Sequence, residues 1–229
     1  MAMTQQFLTF LAFVLFFCYA DAGVSTNRAQ IQIDPIESLI PLSKNANAYQ
    51  RGNAASNIVV ELVIDLTCSS CLDSWPMLND VVASYGSSVN FLYRVFPLPY
   101  HQQAFIVSKA ASLVNFYSPS DIFSFMDVAY ANQGSIYNSV TNDMTYNEVV
   151  SMVGDWVTNS SSISAAQYSI GMDMSTADGT SIEMDTRYMF KYGGLHHSFA
   201  TPFFNINGVG VTGLDTYEQW KATLDPLLV

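Results

Sequence analysis

Cysteine is scarce, with 3 in 229 residues. Cys18 lies inside an apolar N-terminal run, so only Cys68 and Cys71 are left for chemistry in the body of the chain. That excludes a disulfide framework of the kind that holds small secreted domains together. A disulfide between two residues this close would gain little from chain entropy. Positive charge is equally sparse: Lys and Arg number 8 against 19 Asp and Glu, for a net charge of −11. With no basic cluster, nucleic acid and anionic membrane surfaces are excluded as partners. The apolar run Phe7 to Tyr19 has 13 residues, short of the roughly 20 that cross a bilayer. No Ser-His-Asp spacing, glycine-rich phosphate loop, HExxH helix or internal repeat is present.

What is there begins with residues 1–22, which read as a secretory signal peptide. Phe7 to Tyr19 is its apolar core and Ala20-Asp21-Ala22 supplies small residues for cleavage before Gly23. No Lys or Arg precedes Arg28, so the n-region has only its terminal amine; an uncleaved anchor is the alternative. Residues 23–229 suffice for one domain with a substantial core. After cleavage no membrane partner is expected. Asn159-Ser160-Ser161 is an N-glycosylation sequon, which places a candidate glycan on Asn159.

The most informative segment is Cys68-Ser69-Ser70-Cys71. Before it runs Ile58 to Leu66, rich in Val, Ile and Leu with almost no polar alternation, as in a strand buried on both faces. After it, Trp75, Leu78, Val81, Val82 and Tyr85 recur at helical spacing over Leu72 to Tyr85, with Pro76 expected to kink that helix. Two thiols at a strand-to-helix junction suit disulfide chemistry or a metal. The unpaired N–H groups and positive partial charge of a helix N-terminus stabilise a thiolate, which makes Cys68 the natural nucleophile.

Ile36 to Leu42 reads as a short strand within a polar, Pro-containing approach. Val89 to Phe96 is a second main strand, ended by Pro97 and Pro99. Helical character dominates from Gln102 to about Tyr192, with Ala104–Phe116, Ser120–Asn132, Tyr146–Thr158 and Ser181–Tyr192 as segments and Gly193-Gly194 as a stop. Ser162 to Ala177 is ambiguous. Phe203–Ile206, Asn207-Gly208 and Val209–Val211 form a hairpin with a type I′ turn, and Asp215 to Leu228 is a closing helix. A strand–helix–strand unit implies a parallel pair with a right-handed crossover, and the hairpin adds antiparallel strands. The expected fold class is therefore α/β, a thioredoxin-like mixed sheet with a helical insertion at about 102–195.

At this point the chain resembles the DsbA-like branch of the thioredoxin superfamily. The resemblance rests on Asp65-Leu66-Thr67-Cys68-Ser69-Ser70-Cys71 after a buried strand and on Pro76 in the following helix. It rests also on the segment from Arg94 through Phe96-Pro97-Leu98 and His101 to Ala104, and on Thr201-Pro202 before the hairpin. The resemblance implies a thiol–disulfide oxidoreductase for cysteine-containing polypeptides, in the secretory lumen or outside the cell, with no cofactor. It implies an exposed Cys68 nucleophile, a buried resolving Cys71, and a cis Pro202 with Thr201 presenting its backbone to the substrate. Departures are Ser69 and Ser70, where relatives carry Pro and often His, Tyr or Phe. Leu62 stands where relatives place a buried acid, with Glu61 next to it.

Two alternatives stay open: a redox-inactive binding protein of this fold, and a zinc or copper site joining Cys68 and Cys71 to His196 or His197. Adjacent histidines more commonly serve as surface or capping residues, and His101 reads as an N-terminal residue of the insert's first helix or as a proton donor. Trp75, four residues past Cys71, reads as core. The Phe, Tyr and Met residues of the insert read as a helical core, with a groove for unfolded polypeptide as the other option.

Overall fold

The computed structural model describes residues 40, 48–196 and 199–228. The signal peptide, His197 and, but for Ile40, the strand expected at Ile36–Leu42 fall outside them. Two strands form the centre. β1 (Tyr49–Gly52) pairs antiparallel with β3 (Asn90–Val95), and β2 (Val59–Ile64) pairs parallel with β3, matching Val59 to Asn90 and Ile64 to Val95. β4 (Phe203–Ile206) runs antiparallel to β2, and β5 (Val209–Val211) closes the order β1-β3-β2-β4-β5. Every residue of β3 and all but the first of β2 are buried, as a run without polar alternation requires when helices cover both faces. The β4–β5 turn has φ of 50° at Asn207 and 82° at Gly208, the positive pair that a type I′ turn demands.

One charged residue sits inside that apolar strand. Glu61 Oε1 accepts from Arg94 Nε at 3.1 Å and Nη2 at 2.9 Å, and from the Tyr192 hydroxyl at 2.7 Å. The Arg94 guanidinium also lies 3.6 Å from the centre of the Tyr192 ring. A buried pair needs this many partners, because desolvating both ions is costly.

α1 (Ser69–Tyr85) links β2 to β3. It starts at Ser69, three residues earlier than the apolar spacing indicated, and continues unbroken through Pro76. Between β3 and β4 come α2 (Ala104–Tyr117), α3 (Ile122–Ala131), the single turn α4 (Asn138–Thr141), α5 (Tyr146–Ser160), α6 (Ala165–Met172) and α7 (Ala177–Leu195). α6 occupies the ambiguous stretch, started by a reciprocal cap in which Ser164 and Gln167 satisfy each other's backbone N–H. Gly193-Gly194 does not stop α7, which runs on to Leu195. Gly193 is there for packing: a Cβ would come within 2.5 Å of the Phe96 ring. α8 (Tyr217–Leu224) is shorter than the expected closing helix, since Pro226 tightens the rest into a 3-10 turn. Its fully buried Trp220 packs edge-on against Phe204 and donates to Leu214 O at 3.1 Å.

The insert is docked on α1 by Trp75. Its indole N–H donates to Asp127 of α3 at 2.7 Å, and its ring lies 4.9 Å from that of Tyr130. Trp75 is thus core, as read, and also the tie between sheet domain and insert. Within the insert, Lys109 is buried against Glu183 at 3.1 Å, and Glu183 also pairs with Arg187. Among the described residues no helix is long and apolar enough to cross a membrane.

Candidate active site

Cys68 occupies the N-cap of α1 with an extended backbone (φ −86°, ψ 124°), and its side chain does not cap the helix. Its Sγ instead faces the Thr201 carbonyl at 3.4 Å. The Thr201–Pro202 peptide bond is cis. This loop leaves Cys68 only 8% exposed, less open than the resemblance implied, while Cys71, one turn into α1, is 1% exposed. Both are free thiols. The Asp65 N–H points at Cys71 Sγ from 3.5 Å.

The two sulfurs differ sharply in acidity. Cys68 is lowered to about 5, first by a hydrogen bond from Cys71. The Thr201 side chain and the backbone N–H groups of Cys71 and Ser70 add to this, against the opposing effect of burial. All the stabilising groups are hydrogen-bond donors and none is a cation. Among the described residues Thr201 Oγ1 is buried with no other hydrogen-bond partner, so its proton can turn toward a thiolate. Burial pushes Cys71 well above the ordinary thiol range, and the Cys68 sulfur reinforces the shift. An acidic, helix-terminal sulfur beside a protonated buried one is the asymmetry that separates attacking from resolving thiol.

The missing acid has a different solution from the one Glu61 offered. Leu62 is core, and Glu61 is committed to Arg94 and Tyr192. The carboxylate held beside the cysteines is Asp65, fully buried. Its Oδ1 accepts from Thr67 N at 2.8 Å and Thr67 Oγ1 at 2.7 Å. Its Oδ2 accepts from Leu98 N at 3.0 Å and meets His101 Nδ1 at 2.7 Å. His101 therefore stands before α2, tied to the site by this contact. The Asp-x-Thr spacing is the signal that could have shown the turn, because an Asp side chain bonds the backbone two residues on. His101 had no such local cue.

Thr67, Ser69 and His101 form one wall of a cavity of about 490 Å³ whose other wall is residues 136–139 of the insert. His101 also borders a second cavity of about 320 Å³, lined by Pro97, Pro99, Phe105 and Phe190 with Arg187. The first cavity takes in Thr67 and Ser69, the residues on either side of Cys68 in the chain. His196 does not join the cysteines in a metal set. Its ring stacks on Tyr192 at 4.0 Å, and among the described residues no group of three or more His, Cys, Asp or Glu is placed to hold a metal.

The arrangement of a Cys at a helix N-terminus, a buried partner and the Thr201 carbonyl before a cis proline lies within residues 44–226, which a family model described as thioredoxin matches. The chain belongs to the thioredoxin family. No curated protein sequence matches it. Solved structures with the same fold include a candidate protein-disulfide isomerase from Pseudomonas syringae, with a TM-score of 0.66 and 15% identity, covering 79% of this chain and 99% of that one. BdbD from Bacillus subtilis, in its oxidised form, has a TM-score of 0.63 and 15% identity over 80% and 93% of the two chains. The thiol–disulfide exchange protein α-DsbA2 from Wolbachia pipientis has a TM-score of 0.60 and 16% identity over 91% and 98%. In this thioredoxin-family fold the DsbA-like helical insertion is the block from α2 to α7.

Proposed function

We propose that this protein is a thiol–disulfide oxidoreductase acting on cysteine-containing polypeptides, with Cys68 and Cys71 as its redox-active pair and Thr201 and Pro202 as the substrate-binding loop. The observation that carries this is the Cys68 Sγ, at the N-terminus of α1, 3.4 Å from the Thr201 carbonyl beside a cis proline. An extended substrate strand laid against that loop would bring its own sulfur to Cys68.

The chemistry balances without a cofactor. A substrate thiolate attacks Cys68 Sγ of the oxidised pair; the Cys68–Cys71 bond breaks, and Cys71 takes up a proton. A second substrate thiolate then attacks the substrate sulfur of the mixed disulfide and expels Cys68 as thiolate. Two electrons pass from substrate to protein, and the substrate gains a disulfide. The acidity of Cys68 favours this direction, because a low-pKa thiolate is the better leaving group. The high pKa of Cys71 keeps it protonated until it resolves an adduct in the reverse reaction.

The proposal places the mature chain, residues 23–229, in the secretory pathway or outside the cell, where a donated disulfide persists. Residues 1–22 support this as a signal, and Asn159, exposed in the last turn of α5, as a glycan acceptor. One preparation tests all three points. Protein collected from the medium of a eukaryotic secreting host should begin at Gly23 and lose mass with an N-glycosidase. Oxidised and mixed with a reduced, unfolded two-cysteine polypeptide, it should pass on one disulfide per molecule. Substrate thiols that disappear no faster than without protein would overturn the proposal.

A further inference from the structure

We propose that Gln133, held in place by Tyr137, is a positioning residue through which the helical insert fixes the Cys68 nucleophile. This rests on reading Cys68 as the exchange nucleophile. Gln133 opens the 3-10 turn Gln133–Ile136 that follows α3 and is completely buried. Its Nε2 donates to two carbonyls at once, Leu66 O at 3.0 Å and Cys68 O at 3.0 Å. Its Oε1 accepts from the Tyr137 hydroxyl at 2.8 Å. That network sets the amide orientation: the reverse would press an oxygen against two carbonyl oxygens.

A buried amide must be hydrogen-bonded somewhere, but these bonds fall on the nucleophile's own peptide group. The Cys68 carbonyl is also where α1 begins, accepting from the N–H groups of Cys71 and Leu72 at 3.1 Å each. Gln133 pulls on the same oxygen from the insert side. The direction of this peptide decides how squarely the first N–H groups of α1 face the sulfur. The clamp thus connects residues 65 positions apart to the group whose geometry stabilises the thiolate. Tyr137 completes the clamp from the cavity wall and is 37% exposed, so loss of its hydroxyl alone is easily accommodated.

The test uses the full mature protein, reduced, with Gln133→Met and Tyr137→Phe. Gln133→Met keeps the length and removes the donors; Tyr137→Phe removes only the bond that orients them. Cys71, Asp65, His101 and Tyr130, the titratable groups around the pair, stay in place. The readouts are the pH profile of Cys68 alkylation by iodoacetamide and the rate at which the reduced protein attacks a two-cysteine polypeptide in its disulfide form. Gln133→Met should raise the alkylation midpoint by about one pH unit and so slow exchange about fivefold at pH 5, the effect of one lost hydrogen bond. Tyr137→Phe should move both in the same direction by less. A purely structural role would lower the melting temperature and leave the alkylation midpoint alone. A folded Gln133→Met with wild-type midpoint and rate overturns the proposal. If Gln133→Met does not fold, Tyr137→Phe decides, and an unmoved midpoint overturns it. Alkylation needs no exchange activity. A shifted midpoint in a protein that exchanges nothing would uphold the positioning role and refute the redox function.

Discussion

Replacing Cys68 with Ser should reduce disulfide transfer to the background rate, whereas Cys71→Ser should leave a protein that stops at the mixed disulfide. The difference follows from the geometry. Cys68 is the sulfur at the helix terminus and the cis-proline loop, so a substrate has no other sulfur to meet first. Cys71 lies deeper, at 1% exposure, and only the Cys68 sulfur is presented to it. Non-reducing gels with a two-cysteine polypeptide in its disulfide form would show one covalent adduct for Cys71→Ser, in which Cys68 has displaced one substrate thiolate, and none for Cys68→Ser. Equal activity of wild type and Cys68→Ser would end the mechanism. A third variant refines it. The hydrogen bond from Cys71 is the largest cause of the acidity of Cys68. Cys71→Ala should therefore raise the Cys68 alkylation midpoint well above 5. Cys71→Ser, which keeps a donor, should raise it less.

Glu61→Ala should be the most destabilising single change in the sheet. Arg94 would stay buried without its carboxylate, which in comparable sites costs about 3–5 kcal/mol. Replacing both partners, Glu61→Leu with Arg94→Met, should recover much of that loss, because no buried charge is then left over. Urea unfolding of the three forms measures this directly. A single variant within about 0.5 kcal/mol of wild type would show that water reaches the pair. The pair lies on the strand rather than at the cysteines, so Cys68 alkylation in the folded single variant should be unchanged. That outcome would also confirm that Glu61 does not serve as the site's acid.

How much of this was legible beforehand follows from how local each signal is. The run Ile58–Leu66, the Asn207-Gly208 turn and the cysteine pair are short-range patterns, and the structure has a buried strand, a type I′ turn and a thiol at a helix N-terminus at those places. β1 was invisible because Tyr49-Gln50-Arg51-Gly52 has no apolar alternation; β3 makes it a strand. α6 was readable after all, through the Ser164 and Gln167 cap. The end of α7 was misread because glycine serves packing as well as helix termination, and the Phe96 ring that Gly193 accommodates is nearly a hundred residues away. Asp65–His101 and the Gln133 clamp were hidden for the same reason: their partners are 36 and 65 residues distant, and a lone polar residue between helices reads as loop. The family resemblance supplied the cis Thr201–Pro202 bond, which composition and periodicity do not encode.

Acidity and redox potential are linked. Cys68 has a folded pKa near 5, below that of an unfolded thiol. Its contribution to the stability of the reduced form is therefore complete above the unfolded value and is lost as pH falls through about 5. The oxidised form has no such group, so at neutral pH the reduced state is favoured and the disulfide is oxidising. A thiol near 5 falls between DsbA, at about 3.5, and thioredoxin, at about 7.

The most direct measurement is the redox midpoint of the Cys68–Cys71 pair at pH 7, from equilibration in graded glutathione buffers, acid quench, alkylation and mass spectrometry. An exchange catalyst with this thiolate should titrate between about −120 and −270 mV. A midpoint below about −300 mV, or a pair that never forms its disulfide, would contradict the redox function at its root.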